Sequence, residues 1–142
     1  MPSINRTADI QWSAEQMFAL VNDVAAYPEF LHWCSGARIV SRAESHVIAE
    51  VDVSLAGIRQ SFTTRNLLEP PHRIDIRLLN GPFRKLEGDW RFTDNERGST
   101  VSLSLEFSVS ISPLGFVLGR VFEEIARSQM DAFIRRARSV YG

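Results

Sequence analysis

The sequence predicts an α+β fold in which a curved antiparallel sheet wraps around a long C-terminal helix. Three observations lead to this prediction. Apolar residues recur with a period of two from Ala37 to Ile111, a long amphipathic stripe follows Pro113, and one strand and two helices precede both. A sheet with one apolar face must bury it, and only the C-terminal stripe is large enough to cover it. A chain of 142 residues suits a single domain, 1–142, with one core.

The N-terminal part of the chain predicts one strand followed by two helices. The stretch SINRTADI, residues 3–10, is a short candidate strand. Ser13 fits a helix N-cap, and Gln16 completes a capping box, so a helix should begin here and carry its apolar stripe up to Ala26. Because Pro28 disfavours a helical conformation at the preceding residue, PEFLHW should form a second, short helix with this proline at its first position.

Alternating apolar and polar side chains predict antiparallel strands with one dry and one solvated face. The clearest example runs from Thr100 to Ile111. Turn signals at 56–57 and 80–82, together with the connections PPHR and DNERGS, separate the strands. The final helix is expected from about Leu114 to Val140, roughly 40 Å long. The other alternating stretches are residues 47–55, 58–66, 74–78 and 85–92.

Composition narrows the function classes. The formal net charge of -1 gives no overall field that would attract nucleic acid or anionic lipid, so no DNA partner is expected. One cysteine allows no internal disulfide, which agrees with a cytoplasmic location. The start of the chain lacks the pattern of a secretory signal, and no apolar run approaches the roughly 18 residues of a membrane-spanning helix.

Catalytic and metal-binding patterns are weak, so we expect a protein that is not an enzyme and needs no cofactor or metal. His32, His46 and His72 fall in different predicted elements, and their spacing is not that of a metal site. His32 and Cys34 could form a nucleophile pair, but no Asn or Asp is placed to orient the histidine. The alternative is a partly buried thiol beside a surface imidazole. Phosphate-binding loops and nucleophile elbows are also missing from the sequence.

A cavity between sheet and helix is the candidate ligand site, because a straight helix contacts a curved sheet along only part of its length. Gly88 shares a face with Trp90 and removes a side chain where the helix should pass, so a bulky residue there should block ligand capture. Phe30, Leu31 and Trp33 follow the helix stop and could form a flap that closes the mouth or touches a bilayer; alternatively, they are core. The predicted ligand-binding residues are Phe30, Leu31, Trp33, Phe62, Thr64, Gly88, Trp90, Phe107, Phe116, Phe122, Ile125 and Phe133.

Four stretches carry a resemblance to a known family: VNDVAAYPEFLHWC, FTTRN, GPFRKLEGDWRF and GRVFEEIARSQMDAFIRRARSVY. They resemble the coenzyme Q-binding START-like family, most closely its bacterial ribosome association toxin (RatA) branch, over nearly the whole chain. The resemblance implies the helix-grip fold of START-like lipid-binding domains. It also implies two activities: binding ubiquinone or a related polyprenyl lipid in support of respiration, or binding the large ribosomal subunit and blocking subunit association.

The main expectation is therefore a carrier that holds ubiquinone or a similar lipid and breaks no bond. The alternative is a toxin that binds the large ribosomal subunit and inhibits translation. The carrier could also contact the inner membrane transiently as a peripheral protein. Ribosome binding would need a basic surface and would depend strongly on salt. The simpler interpretation of the basic residues near the C-terminus is a solvated helix end, where the helix dipole favours cations. The residues predicted for ribosome or membrane-surface contact are Arg84, Lys85, Arg135, Arg136 and Arg138.

Overall fold

Seven antiparallel strands form one curved sheet, as predicted, in the computed structural model, which describes residues 3–142. The strand order is β1-β7-β6-β5-β4-β3-β2, so the first strand closes against the last. The strands are β1 Ser3–Ile10, β2 Cys34–Arg42, β3 His46–Leu55, β4 Ile58–Glu69, β5 Arg73–Asn80, β6 Lys85–Asn95 and β7 Gly98–Ser108. The helices are α1 Ala14–Asn22, a 3-10 helix Val24–Glu29 and α2 Pro113–Tyr141.

The start of α1 confirms the capping box, and its end differs from the prediction. The Ser13 hydroxyl accepts from the backbone N–H of Gln16 at 3.1 Å, and the Gln16 side chain accepts from the backbone N–H of Ser13 at 2.9 Å. The α-helix ends at Asn22, however, and Pro28 lies inside the 3-10 helix that follows. The predicted helix PEFLHW is therefore wrong. The carbonyl of Tyr27 accepts from the N–H groups of both residues 30 and 31, which closes the turn.

Several strands differ in length from the predicted ones. The loop predicted for DNERGS is a tight hairpin, because the Asn95 side chain accepts from the backbone N–H groups of Arg97 at 2.9 Å and Gly98 at 3.0 Å. The alternating pattern that starts at Ala37 gives no separate bounds for β2, which runs from Cys34 to Arg42. At the other end, β7 stops at Ser108, and Ile111, predicted to face inward, is 83% exposed.

The long helix α2 confirms the predicted covering element for the apolar face of the sheet. Two clusters of buried side chains lie along it. Phe122 and Phe133 of α2 pack with side chains of α1 and β5 to β7, whereas Val121 and Ile125 pack with side chains of β2 and β3. The helix therefore belongs to both clusters, and the space between them is not fully filled.

The outer face of the sheet is crossed by ion pairs that neutralise one another. Arg38 bridges Glu50 and Asp52, and Arg73 contacts Asp89 at 2.9 Å. Hydrogen bonds from Ser61 and Arg38 hold the pKa of Asp52 below its usual value. These pairs offset much of the positive charge that this face would otherwise present to a polyanion.

Candidate functional site

A cavity of about 100 Å³ lies between the sheet and α2, at the boundary of the two buried clusters. It has room for a few water-sized groups and is smaller than the pockets of roughly 300–1,000 Å³ that take whole drug-sized ligands. Its wall is mostly apolar. Predicted ligand-binding residues that do line it are Trp33, Phe62, Thr64, Trp90, Phe122 and Ile125.

The remaining aromatic and aliphatic residues of the predicted site do not line this cavity. Phe107 and Phe133 are each 1% exposed and pack behind its wall. Leu31, at 2% exposure, belongs to the core beside β3, and Phe30 packs edge-on against Phe133 with 5.3 Å between ring centroids. Phe116 is 61% exposed on the outer side of α2. The segment after the helix stop is thus core rather than a flap.

The interpretation of Gly88 as a gap for ligand is wrong. This residue is not part of the cavity wall; it lies in β6, opposite Leu105 of β7. A Cβ atom at this position would stand 2.0 Å from the backbone carbonyl oxygen of Ser104. The glycine is therefore required by the close approach of the two strands, and a larger residue here would disrupt the sheet before it could obstruct a ligand.

Polar side chains in the wall of the cavity are hydrogen-bonded in pairs. The Thr64 hydroxyl donates to the Asn66 side-chain oxygen at 3.0 Å, and the Trp33 indole N–H donates to the Gln129 side-chain oxygen at 3.0 Å. Within residues 3–142, the amide nitrogens of Asn66 and Gln129 donate no hydrogen bond, so both are available to an acceptor. Burial raises the pKa of the nearby Tyr27 hydroxyl, which donates to the Val21 carbonyl oxygen and stays protonated.

The sequence offers Arg65 and Asn66, at the end of FTTRN, as polar groups at cavity depth that could orient a quinone head, but the predicted ligand-binding set includes neither of them, nor Gln129 or Tyr27. Asn66 follows Thr64 by two residues on β4 and so shares its face. Gln129 follows Ile125 by four residues on α2 and so shares its face. Periodicity therefore placed both amides toward the interior.

Three phenylalanines close the cavity toward the end of the molecule where α2 begins. The rings of Phe62, Phe83 and Phe122 stand edge-to-face, with centroid separations of 5.8, 6.2 and 4.8 Å. We call these three rings the aromatic wall. A surface groove of about 290 Å³ lies outside it, and a small hollow lined by all three rings shares lining residues with both the groove and the cavity. The groove is lined by Ile58, Gln60, Pro82, Phe83, Arg84, Ser110, Leu114 and Leu118.

The candidate nucleophile does not have an activated geometry. Cys34 is 5% exposed, its thiol donates to the Gly36 carbonyl at 3.2 Å, and burial raises its pKa to about 11. A thiol with so high a pKa is protonated at neutral pH, the opposite of what a nucleophile needs. Among residues 3–142, no group of three or more His, Cys, Asp or Glu side chains is arranged to hold a metal. No helix described there has the length and apolarity to cross a membrane.

The predicted basic residues form two separate groups. Arg84 lines the groove beside Leu118, whereas Arg138 lies 20 residues further along α2, or roughly 30 Å away at 1.5 Å per residue. Lys85 is paired with Glu87 at 3.1 Å and with Glu106 at 3.0 Å, so its charge is locally offset.

At the C-terminal end of α2, the arginines differ in their surroundings. Arg136 contacts Glu29 at 3.1 Å, and its guanidinium lies 4.9 Å from the centroid of Phe30. Arg135 and Arg138 are exposed and form no ion pair within residues 3–142. Only these two remain as free cations of the predicted C-terminal group.

Residues 10–134 match the family described as polyketide cyclase / dehydrase and lipid transport. The chain belongs to this family. Proteins similar to this chain include the Ribosome association toxin RatA of Vibrio cholerae. It is 47% identical over 143 residues that cover 100% of this chain and 99% of that protein. The mitochondrial Coenzyme Q-binding protein COQ10 homolog B of Xenopus laevis is 29% identical over 92% of this chain and 56% of that protein. Both branches named by the sequence resemblance are thus represented among its relatives.

A solved structure of similar fold agrees with this architecture. The Zhui aromatase/cyclase from Streptomyces sp. R1128 matches with a TM-score of 0.84 over 96% of this chain and 93% of that one. Its sequence identity is 18%, so the likeness concerns the arrangement of sheet and helix alone. The helix-grip, START-like architecture predicted from the sequence is therefore correct.

Proposed function

We propose that this chain associates with the ribosome, binding the large subunit and hindering the joining of the subunits. The supporting observation is the 47% identity to a ribosome association toxin, which extends over the full length of both chains. Identity of this extent exceeds the number of buried residues, so residues on the surface of the molecule must be shared as well as residues of its core. This function takes precedence over the quinone carrier that the sequence alone favoured, because the relative named for coenzyme Q binding shares only 29% identity.

The surface best suited to ribosomal RNA phosphates is the C-terminal end of α2. Arg135 and Arg138 are exposed there and are free of ion pairs within residues 3–142. They stand at the negative end of the helix dipole, where cations are favoured. The side chains of both arginines project into solvent. Arginine also donates two parallel hydrogen bonds to a phosphate, which lysine cannot do. These two residues are therefore the first candidates for RNA contact.

Reversal of these two charges should weaken ribosome binding. In the double variant Arg135→Glu/Arg138→Glu, two phosphate contacts become repulsive, so we expect at least about a tenfold loss of affinity and a shallower dependence on salt. Sucrose-gradient sedimentation with purified subunits measures both the bound protein and the fraction of joined ribosomes.

The matched control is Arg42→Glu/Arg65→Glu. It changes the net charge equally at two exposed arginines of the sheet that also form no ion pair within residues 3–142. The control should sediment with the large subunit like the unaltered protein. An equal loss of ribosome binding in both double variants would mean that net charge alone causes the effect. Subunit joining that is unaltered when the natural protein is added would refute the proposal itself.

A second function is supported by the cavity, namely binding of an apolar ring that carries carbonyl groups, such as the head group of ubiquinone. The amide nitrogens of Asn66 and Gln129 are available as donors beside an otherwise apolar wall. At about 100 Å³ the cavity has no room for a polyprenyl tail, which would have to leave past the aromatic wall, and the side chains of its wall would have to move apart to admit the ring. Ring recognition and ribosome contact use different surfaces, so one protein can have both.

A cavity-filling variant tests the second function. Ala126 lines the cavity, so Ala126→Leu should occupy the space of the ring and weaken the binding of a short-chain ubiquinone by about tenfold or more. Because Trp33 and Trp90 also line the cavity, quenching of tryptophan fluorescence by the quinone measures binding directly. The control Ala132→Leu makes the same change on α2 outside the cavity wall. Quenching that does not saturate, or that is equal in both variants, would count against a site in this cavity.

A further inference from the structure

The polar side chains in the cavity wall differ in what they can still offer to a ligand. Among the described residues that line the cavity, none is acidic, basic or a histidine. A ligand is therefore held here by neutral donors and acceptors, and the balance between the two decides which ligand fits. The lining residues whose side chains carry hydrogen-bonding groups are Tyr27, Trp33, Thr64, Asn66, Trp90 and Gln129.

The acceptor oxygens of the two amides in this wall are already engaged. The Asn66 side-chain oxygen accepts from the Thr64 hydroxyl at 3.0 Å. The Gln129 side-chain oxygen accepts from the Trp33 indole N–H at 3.0 Å. This second bond also fixes the orientation of the Gln129 amide, because an indole can only donate and would oppose an N–H group in the place of the oxygen. Each oxygen keeps one further lone pair, but its first partner is a side chain of the wall.

Three donor groups in the wall have no partner. Within residues 3–142, the side-chain nitrogens of Asn66, Trp90 and Gln129 donate no hydrogen bond. Trp90 is 4% exposed, and its indole nitrogen can donate but cannot accept. Among the same residues, the only fully buried side-chain nitrogen or oxygen without a partner is Nε of Arg136. The three nitrogens are therefore not sealed in apolar packing, and they border space that a ligand can reach.

An excess of donors favours a ligand that brings only acceptors. The carbonyl oxygens of a quinone accept hydrogen bonds and donate none. Each hydroxyl of the corresponding hydroquinone also carries a hydrogen that gives up its water partner on binding and needs an acceptor inside. The free lone pairs of the wall belong to oxygens that already take part in a hydrogen bond, so this hydrogen finds a poorer partner than it had in water. The hydroquinone is thus disfavoured, although its size and shape are nearly the same.

We propose that the cavity selects the oxidised state of its ring ligand and binds the quinone about tenfold more tightly than the hydroquinone. This inference rests on the ring-binding function proposed above and adds a preference to it. A tenfold ratio lies near the lower end of what an unpaired buried donor costs, as expected where second lone pairs remain. For a two-electron couple it lowers the midpoint potential of the bound ring by about 30 mV, so the bound ring is harder to reduce than the free one.

Isothermal titration calorimetry under argon tests this preference, with a short-chain ubiquinone in one titration and its hydroquinone in the other. Both forms carry the same tail, so the ratio of their dissociation constants reports the ring alone. For the natural protein we expect the hydroquinone to have a dissociation constant about tenfold higher than the quinone.

Two variants locate the source of the preference. Asn66→Asp exchanges a donor for an acceptor of the same shape, so the ratio should fall to about one or below. Trp90→Phe removes one donor and no acceptor, so the ratio should fall by about threefold, mainly through weaker binding of the quinone. The matched control Asn80→Asp makes the first change at an exposed residue of β5 outside the cavity wall, and it should keep the ratio of the natural protein.

The other outcomes would overturn the inference in distinguishable ways. Saturable binding of both forms with equal affinity would leave ring binding in place and remove the selection. Saturable binding of neither form would refute the ring-binding function together with this inference. Tighter binding of the hydroquinone would mean that the wall presents acceptors. An undiminished ratio in both Asn66→Asp and Trp90→Phe would show that other groups cause the preference, and the assignment to these donors would then be wrong.

Discussion

Gly88→Val should abolish the folded state or destabilise it by about 4 kcal/mol or more, in the range of the most severe single substitutions. The reason is the distance of 2.0 Å between a Cβ atom at this position and the Ser104 carbonyl oxygen. The obstructing atom belongs to backbone, so no side-chain rotation relieves the contact. The two strands must separate, and β6 is bonded to β5 on its other side, so the disturbance reaches the middle of the sheet. Circular dichroism and urea unfolding measure the loss.

The matched control for this variant is Arg91→Val on the same strand. Its side chain is 63% exposed and forms one exposed ion pair, with Asp89 at 2.9 Å, so its loss should cost at most about 1 kcal/mol. Valine itself is well suited to a strand, which removes intrinsic propensity as an explanation. A Gly88→Val protein as stable as this control would show that β6 and β7 are not in close contact at this point.

Phe133→Ala should lower the free energy of unfolding by about 3–5 kcal/mol, the usual cost of truncating a fully buried phenylalanine. Phe133 is 1% exposed and stands edge-to-face with three rings: Tyr27 at 5.5 Å, Phe30 at 5.3 Å and Trp90 at 5.3 Å between centroids. These partners come from the 3-10 helix, its C-cap and the sheet, so the void would form where three parts of the fold meet. The shift in the urea midpoint at constant slope reports the change.

The same substitution elsewhere on α2 gives the control. Phe116→Ala removes an identical side chain that is 61% exposed, so its effect should stay within about 0.5 kcal/mol. The difference between the two variants therefore isolates burial from the helix propensity of alanine. Comparable costs in both would contradict the assignment of Phe133 to the core and of Phe116 to the surface.

Local signals predicted most of the fold. The capping box at Ser13 needs only residues three apart in sequence, and the alternation in β3 to β7 follows from the pleat of each strand alone. The predictions were wrong where contacts with residues distant in the sequence decide where an element ends. The alternating pattern continues to Ile111, but β6 begins at Lys85, which pairs with Ser108, so β7 has no partner there beyond this residue.

The candidate site was predicted less completely, for a related reason. Alternation placed Phe62 and Trp90 on the interior face, and both line the cavity. It could not distinguish a glycine that leaves room for a ligand from one that lets two strands approach, as at Gly88, because that depends on the backbone of the neighbouring strand. Nor could it tell that Phe30 and Leu31 turn inward, since the bonds of the Tyr27 carbonyl set their direction.

The position of α2 in the chain has a consequence for biosynthesis. This helix contributes to both buried clusters, and it follows all seven strands in chain order. Until translation has passed Pro113, the apolar side chains of the sheet have no covering partner. The nascent chain therefore exposes a hydrophobic surface throughout synthesis of the sheet, which is the condition under which chaperones bind and intermediates aggregate. Completion of α2, rather than formation of the strands, should mark the moment at which the newly made protein becomes resistant to proteolysis.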